Sequence, residues 1–377
     1  MLIALRVGSH LAIRCKKGSL LAFVSGVDML RILRNRAYSR VPLLRHIARC
    51  GPIGVDMGDD TLKVAQLGNN GEGINLLAAG SENRPEDVKP GSGDWQRWAI
   101  EAICRLTTNG KFRGRAVIAA IPASEVFIDH IKMPKIKEES QKVKKGIWRW
   151  RAFAKNRKWK PCSDDKLQDA VFSEIKQKLP FEADDAMIKC IPTEEDNVLV
   201  IAAERKRIDR HLAIYEKANL QIKSIAVWPV ALTNSYIKFF GRRKADIEAI
   251  VMLLDIEANC TNVVICRHKN LLFARSIPIG AKQLNGEKMV TRLVLELTAC
   301  RRHFGSMYRK ARIERLIFLS DRAVDRDVCA TIAKQLEMPA QIGNCLKAVE
   351  IGDPCVSGVD RRGCKFSWAT AFGLSLS

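Results

Sequence analysis

The residues best suited to chemistry lie in the segment IGVDMGDDTLKVAQL, near the start of the chain. An Asp-x-Gly turn that begins at Asp56 separates two alternating apolar runs, a pattern that predicts strand, turn and strand. Thr61 and Lys63 lead into the second run, and such a turn can offer backbone N–H groups to a phosphate. The tip of the turn also carries Asp59 and Asp60, and carboxylates oppose the binding of a polyanion.

A second copy of this arrangement occurs in residues 248–284, EAIVMLLDIEANCTNVVICRHKNLLFARSIPIGAKQL. An apolar strand leads to an acidic turn at Asp255, and an alternating strand, a basic turn and a third strand follow. A duplicated strand-turn-strand unit with helices behind each copy predicts two pseudo-symmetric lobes around a cleft, the usual position of a ligand site.

The segments between the two copies predict alternating helices and strands. DWQRWAIEAICRLTTNG has helical spacing, and GRAVIAAIP is typical of a buried strand. Residues 124–226 predict a strand-helix-strand-helix unit inserted into the larger fold. Its first helix has Ser163 as a candidate N-cap and ends at Pro180, and its second ends with Asn219 in the left-handed cap position.

The net charge of +22 is concentrated in two segments. Residues 1–50 carry +9, the run 142–160 carries another +9, and the remaining 308 residues carry about +4. The core is therefore nearly neutral. The first segment is compatible with an anionic membrane surface, a disordered tail, an organellar transit peptide or sequence ahead of a start at Met29.

The second basic segment interleaves its charges with Trp148, Trp150 and Trp159. This pattern suits a mobile loop whose tryptophans pack on the inserted unit, anionic lipid headgroups, or single-stranded nucleic acid. No nucleic-acid partner is expected, because the rest of the chain lacks a nucleic-acid-binding module.

Other kinds of site find little support. The twelve cysteines include no CxxC pair or zinc-type spacing, which favours reduced, buried thiols in a cytosolic protein. The six histidines show no metal-binding pattern. GNNGEG is interpreted as the tip of a hairpin, and no transmembrane span is expected. No catalytic residue and no metal site are therefore predicted.

Several ordered segments resemble one family. The opening turn segment, RAVIAAIPASEVFIDHIKMPK, IKQKLPFEADDAM, VLVIAAERKRIDRHLAIYEKANLQIKSI, FARSIPIGAKQL, LELTACRRHF and ERLIFLSDRA follow the order and spacing of PilM, an actin-like protein of type IV pilus assembly related to FtsA. The resemblance covers residues 52–377 apart from about 140–162, so both basic segments are departures from the family.

The resemblance implies an α/β protein with an actin/hexokinase-like (ribonuclease H-like) two-lobed fold and an inserted small α+β subdomain. The implied division is a basic N-terminal extension (1–50), the first part of lobe 1 (51–123), the inserted subdomain (124–226) with the basic Trp-rich insert at about 140–162, a lobe 1 helix (227–250), lobe 2 (251–345) and a C-terminal return to lobe 1 (346–377).

The function implied by the resemblance is that of a cytoplasmic scaffold, peripheral at the inner membrane. The family binds the cytoplasmic tail of the inner-membrane protein PilN in a groove beside the inserted subdomain. A PilN-like tail and other pilus inner-membrane or motor components are thus the expected partners, with an anionic membrane surface as a further partner for residues 1–50 and 142–160. Self-association stays open, including FtsA-like filaments, and so does a related secretion or DNA-uptake machine.

The resemblance also implies a residual nucleotide site at Asp56, Gly58, Thr61, Lys63 and Asp255. The family's serines after the first glycine are Asp59 and Asp60 here, and a carboxylate about 4 Å from a phosphate opposes binding by roughly 4 kcal/mol. Four further family positions also differ: a turn glycine is Glu257, two adenosine-turn glycines are Asp321 and Arg322, and an aspartate is Ala226. A scaffold without a cofactor is expected, with weak binding of ATP and Mg²⁺, or an active ATPase, as alternatives.

Overall fold

The computed structural model describes residues 49–69, 73–133, 164–319, 324–351 and 367–377. The predictions for residues 1–48, for the basic insert at about 140–162 and for Ser163, Asp321 and Arg322 lie outside these ranges.

Three β-sheets form the framework of the described residues. The strands are β1 (Arg49–Met57), β2 (Thr61–Asn69), β3 (Ile74–Asn83), β4 (Ala116–Ile121), β5 (Val126–Lys132), β6 (Ala186–Pro192), β7 (Asn197–Glu204), β8 (Gln221–Val227), β9 (Ile250–Ile256), β10 (Thr261–Arg267), β11 (Asn270–Ile277), β12 (Arg315–Phe318), β13 (Ala340–Ile342) and β14 (Glu350–Ile351). The helices are α1 (Gly93–Asn109), α2 (Asp164–Ile175), α3 (Arg205–Lys217), α4 (Trp228–Phe239), α5 (Lys244–Glu248), α6 (Glu287–Met307), α7 (Arg326–Gln335) and α8 (Ala369–Ser375).

The two larger sheets repeat one topology. The lobe 1 sheet has the order β14-β3-β2-β1-β4-β8, and the lobe 2 sheet has the order β11-β10-β9-β12-β13. In each sheet three antiparallel strands are followed by two parallel ones, and the lobe 1 sheet adds β14 parallel to β3 at its edge. This shared order confirms the duplication that the two Asp-turn segments predict, and it gives the two-lobed α/β architecture.

The third sheet, which we call the inserted sheet, is antiparallel with the order β5-β7-β6. Helix α2 packs on it through Val171 and Ile175, which contact Val198 and Val200 in the central strand. The helix ends at Ile175, about one turn earlier than the apolar spacing predicts. Just beyond it, the Lys178 backbone N–H donates to the Ile175 carbonyl three residues back, which is the spacing of a 3₁₀ turn and not of an α-helix. Asn219 has a φ of 58°, as its cap position predicts.

Helices α4 and α8 fill the space between the two lobes. Tyr236 of α4 and Phe372 of α8 are fully buried in the cluster that also contains Leu253 of β9. Helix α8 lies very close to β1, since a Cβ on Gly54 would stand 2.1 Å from the Ala371 carbonyl oxygen. Among the described residues, no helix has the length and apolar character needed to cross a membrane.

Candidate functional site

The first turn of the predicted site is a tight hairpin between β1 and β2. The strand register places Asp56 opposite Lys63, and the Asp56 carboxylate lies 2.8 Å from the Lys63 ammonium. The Gly58 N–H donates to the Thr61 carbonyl at 3.1 Å and closes the turn. Asp56 and Lys63 are both buried, so this ion pair is shielded from water.

The second turn faces the first from lobe 2. Asp255, at the end of β9, is fully buried, and the Glu257 N–H donates to the Cys260 carbonyl at 2.8 Å. The segment after β11 supports this turn, because the Ala281 N–H donates to Glu257 at 2.7 Å and the Lys282 N–H donates to Ala258 at 3.0 Å. The backbone of Lys282 is thus fixed against the turn.

Lys63 is the buried cation between the two turns. Its ammonium donates to the Ser367 carbonyl at 3.0 Å and lies 3.7 Å from the Glu257 carboxylate. The structure therefore brings the predicted residues Asp56, Gly58, Thr61, Lys63 and Asp255 to one place, and their role in nucleotide binding stays a prediction.

Burial and like charge shape the titration of this cluster. Burial alone would lower the pKa of Lys63, but neighbouring carboxylates, first among them Asp56, hold it above its usual value. Burial raises the pKa of Asp255 to about 6, although Lys63 opposes the rise. Burial also raises the pKa of Glu257 to about 8; Lys63 opposes this rise, and the nearby aspartates add to it.

Asp60 connects the two lobes at the mouth of the cleft. Its carboxylate accepts hydrogen bonds from Lys282 at 2.6 Å and Asn259 at 2.7 Å, both in lobe 2. It also accepts one from Arg84 of lobe 1 at 2.9 Å. Burial would raise the pKa of Asp60, but the hydrogen bonds and charges of Lys282 and Arg84 hold it below its usual value.

Asp59 points away from this contact. Its carboxylate accepts a hydrogen bond from the Ser124 hydroxyl at 2.7 Å. Burial raises the pKa of Asp59, and the bond from Ser124 opposes that rise. The two acidic residues that the sequence places at the tip of one turn therefore have different surroundings.

The space between the turns is small and acidic. Its cavity measures about 150 Å³, whereas ligand pockets typically measure roughly 300–1,000 Å³. The Lys63 and Lys282 ammonium groups beside it are already paired with carboxylates. Among the described residues, the Glu257 carboxyl group and these two paired lysines therefore line the space between the turns.

Sequence reasoning missed three members of this site: Arg84, Asn259 and Lys282. Asn259 lies two residues beyond the noted Glu257, and Lys282 lies in a segment that carries the family resemblance, IPIGAKQL. The only sequence feature that could have indicated Lys282 is its position after a short turn in the second copy. That feature does not predict that Lys282 contacts Asp60.

Two grooves flank the inserted sheet. The α4 groove, of about 520 Å³, is lined by Ile191 and Pro192 of β6, Val230 and Ile237 of α4, and Leu271 of β11. The cleft groove, of about 580 Å³, runs from the first turn along β5 to the end of β11. Its lining includes Phe127, Phe181, Arg207 and Arg275. Either could receive an extended segment of a partner chain.

The duplicated sheets around a cleft, with a sheet inserted in the first lobe, define an actin-like two-lobed fold. A family model described as "Type IV pilus assembly protein PilM" matches residues 160–303, which is less than half of the chain. A comparison of the sequence with curated proteins found no match.

The comparison of structures shows the same fold in one solved complex and weaker likeness to other proteins. A solved PilM-PilN type IV pilus biogenesis complex matches with a TM-score of 0.64 and 18% sequence identity, covering 86% of this chain and 98% of that chain. The cytoplasmic domain of EpsL, an inner membrane component of the type II secretion system of Vibrio cholerae, matches with a TM-score of 0.42 and 10% identity, covering 71% and 81%. EutJ from Carboxydothermus hydrogenoformans matches with a TM-score of 0.44 and 11% identity, covering 86% and 89%.

Proposed function

We propose that this chain is a cytoplasmic scaffold of a type IV pilus or a related secretion machine. In this role it binds the cytoplasmic tail of a PilN-like inner-membrane protein and lies peripherally at the inner membrane. The observation that carries the proposal is the PilM family match over residues 160–303, which runs from the inserted sheet into lobe 2. The solved PilM-PilN complex, which shares the fold over 86% of this chain, supports the choice of partner.

The α4 groove is the better candidate for the tail. Its apolar lining comes from Ile191, Val230, Ile237 and Leu271, which belong to the inserted sheet, lobe 1 and lobe 2. A partner segment seated there would contact all three units at once. Apolar side chains of an extended peptide are well recognised by such a lining.

The cleft groove is a weaker candidate because four charged side chains line it, against two in the α4 groove, and its arginines have partners. Arg207 pairs with Glu204 at 3.0 Å, and Arg275 pairs with Glu296 at 3.2 Å. A peptide that bound there would have to compete with these ion pairs or leave them at its edge.

Titration calorimetry with a synthetic peptide of the PilN-like tail from the same organism tests this function. We expect saturable binding to the full chain, and at least about tenfold weaker binding to Ile237→Arg, because the guanidinium would replace one of the apolar side chains that line the α4 groove. The matched variant Phe127→Arg places the same charge in the cleft groove and should leave the affinity unchanged. A folded wild-type chain that does not bind the tail would refute the scaffold role. Loss of binding in Phe127→Arg alone would refute the choice of groove.

We infer that this scaffold works without a bound nucleotide. The inference is supported by the small acidic cavity between the turns and by the carboxylates at Asp60 and Glu257. The second candidate function is an active ATPase whose nucleotide state controls assembly. The convergence of Asp56, Lys63 and Asp255 between the lobes favours that alternative.

A further inference from the structure

Three donors from two lobes converge on one carboxylate at the mouth of the cleft. The Asp60 side chain receives the Lys282 ammonium, the Asn259 amide and the Arg84 guanidinium, all within 2.9 Å. Two of these donors belong to lobe 2, whereas Asp60 belongs to lobe 1. A cation, an amide and a guanidinium around one pair of oxygens are the groups that proteins use to bind small oxyanions.

Hydrogen bonds to backbone carbonyl groups fix the segments that carry these donors. Arg84 donates its backbone N–H to the Asp60 carbonyl at 2.8 Å and its Nε–H to the Asp59 carbonyl at 2.7 Å. On the other side, the Lys282 N–H donates to the Ala258 carbonyl, one residue before Asn259. The pocket is therefore built by the fold around the turn, and its geometry does not depend on the Asp60 side chain alone.

We propose that Arg84, Asn259 and Lys282 form an oxyanion pocket whose ligand is the chain's own Asp60 carboxylate. This internal ligand links the two lobes across the mouth of the cleft. The Asp60 contacts are partly buried on the lobe 1 side, where the Arg84 and Asp60 side chains are 13% and 17% exposed. Lys282 is 63% exposed, which leaves the pocket open to solvent on the lobe 2 side.

Removal of the Asp60 carboxylate would leave the oxyanion pocket without its internal ligand. The vacated donors would accept a small inorganic oxyanion such as phosphate, since its oxygens can replace those of the carboxylate. The pocket itself would remain, because its backbone contacts do not involve the side chain that is removed. Binding of phosphate would then restore the link between the lobes.

Rescue by inorganic phosphate tests this proposal on the full chain. We expect Asp60→Ala to lower the melting temperature by several degrees, on the order of 3–6 °C, through loss of the charged hydrogen bonds. Phosphate should restore at least half of that loss, whereas sodium chloride at the same ionic strength should restore much less. The double variant Asp60→Ala/Lys282→Ala should show no specific restoration. In the wild-type chain, phosphate should give only the general stabilisation expected of a kosmotropic anion, so the specific effect is the additional rise seen in Asp60→Ala.

Matched variants keep the test decisive. Asp94→Ala removes a carboxylate from an exposed ion pair with Arg97 and should change the melting temperature little, with no response to phosphate. If Asp60→Ala does not fold, Asp60→Ser also removes the carboxylate and shortens the side chain, and the same phosphate titration applies. A melting temperature unchanged by loss of the carboxylate would overturn the proposal. Equal rescue by phosphate and chloride, or rescue that survives Lys282→Ala, would overturn it too. None of these readouts involves the partner tail, so they are independent of the scaffold role.

Discussion

At the scale of the residue, the cleft contains a buried lysine surrounded by carboxylates that are difficult to ionise together. Lys63 is paired with Asp56 at 2.8 Å, and Glu257 lies at the longer distance of 3.7 Å. The shorter contact makes Asp56 the main partner of the lysine. Glu257 is then an additional carboxylate whose ionised form the folded chain disfavours, which raises its pKa to about 8.

This arrangement predicts a pH dependence of stability. The folded chain holds the Glu257 proton more tightly than the unfolded chain, whose pKa is near the ordinary value of 4.5. The free energy of unfolding should therefore fall as the pH rises from about 4.5 to about 8. Glu257→Gln removes this titration and should be more stable than the wild type at the upper end of that range, by on the order of 2 kcal/mol.

Urea unfolding of both chains across this pH range measures the effect. Glu296→Gln is the matched control, since it neutralises a partly exposed glutamate of α6 that is paired with Arg275 and has no contact with Lys63. Identical pH slopes for the wild type and Glu257→Gln would show that Glu257 ionises in the folded chain as easily as in the unfolded one.

At the scale of the element, the position of the first turn depends on how closely α8 packs against β1. Gly54 faces that helix, and a Cβ there would stand 2.8 Å from the Ser375 nitrogen as well as 2.1 Å from the Ala371 carbonyl oxygen. Backbone atoms cannot move aside as a flexible side chain can. The strand that presents Asp56 is therefore fixed by a glycine two residues earlier.

Gly54→Ala should consequently destabilise the chain strongly, by about 3 kcal/mol or more, or prevent folding. Gly93→Ala provides the control, because a Cβ at this first residue of α1 has no atom within 4 Å. That change should be neutral or slightly stabilising. Soluble yield and melting temperature measure both, and equal stability of the two variants would contradict the close packing of α8 on β1.

At the scale of the whole molecule, the inserted sheet also contacts lobe 2. His130 of β5 stacks on Phe273 of β11 with 4.4 Å between ring centroids, and its ring accepts a hydrogen bond from the Ala274 N–H at 3.2 Å. Burial lowers the pKa of His130 to about 3, so the ring stays neutral and remains an acceptor near neutral pH. Thr193 and Tyr308 form a second contact at 2.7 Å. The two lobes are thus connected both by Asp60 at the mouth of the cleft and by the contacts of the inserted sheet with lobe 2.

Sequence patterns predicted the strands and turns whose form depends on residues close together in the sequence. The alternation around Asp56 gave the hairpin, and the hairpin register then placed Asp56 opposite Lys63. The second copy gave the lobe 2 meander for the same reason. The contacts of Asp60 with Asn259 and Lys282 were not predicted, because these partners lie 199 and 222 residues away and meet only in the folded tertiary structure. A lysine in a turn indicates a charge, and tertiary packing decides which carboxylate it meets.

The central claim is that this actin-like chain binds its partner without a nucleotide. It is tested most directly by titrating the full chain with the PilN-like tail peptide in the presence and absence of ATP and Mg²⁺. We predict the same dissociation constant in both cases, to within about twofold, and no heat of ATP binding at micromolar concentrations. Tail binding that requires ATP, together with ATP affinity that is lost in Asp56→Ala, would contradict the account.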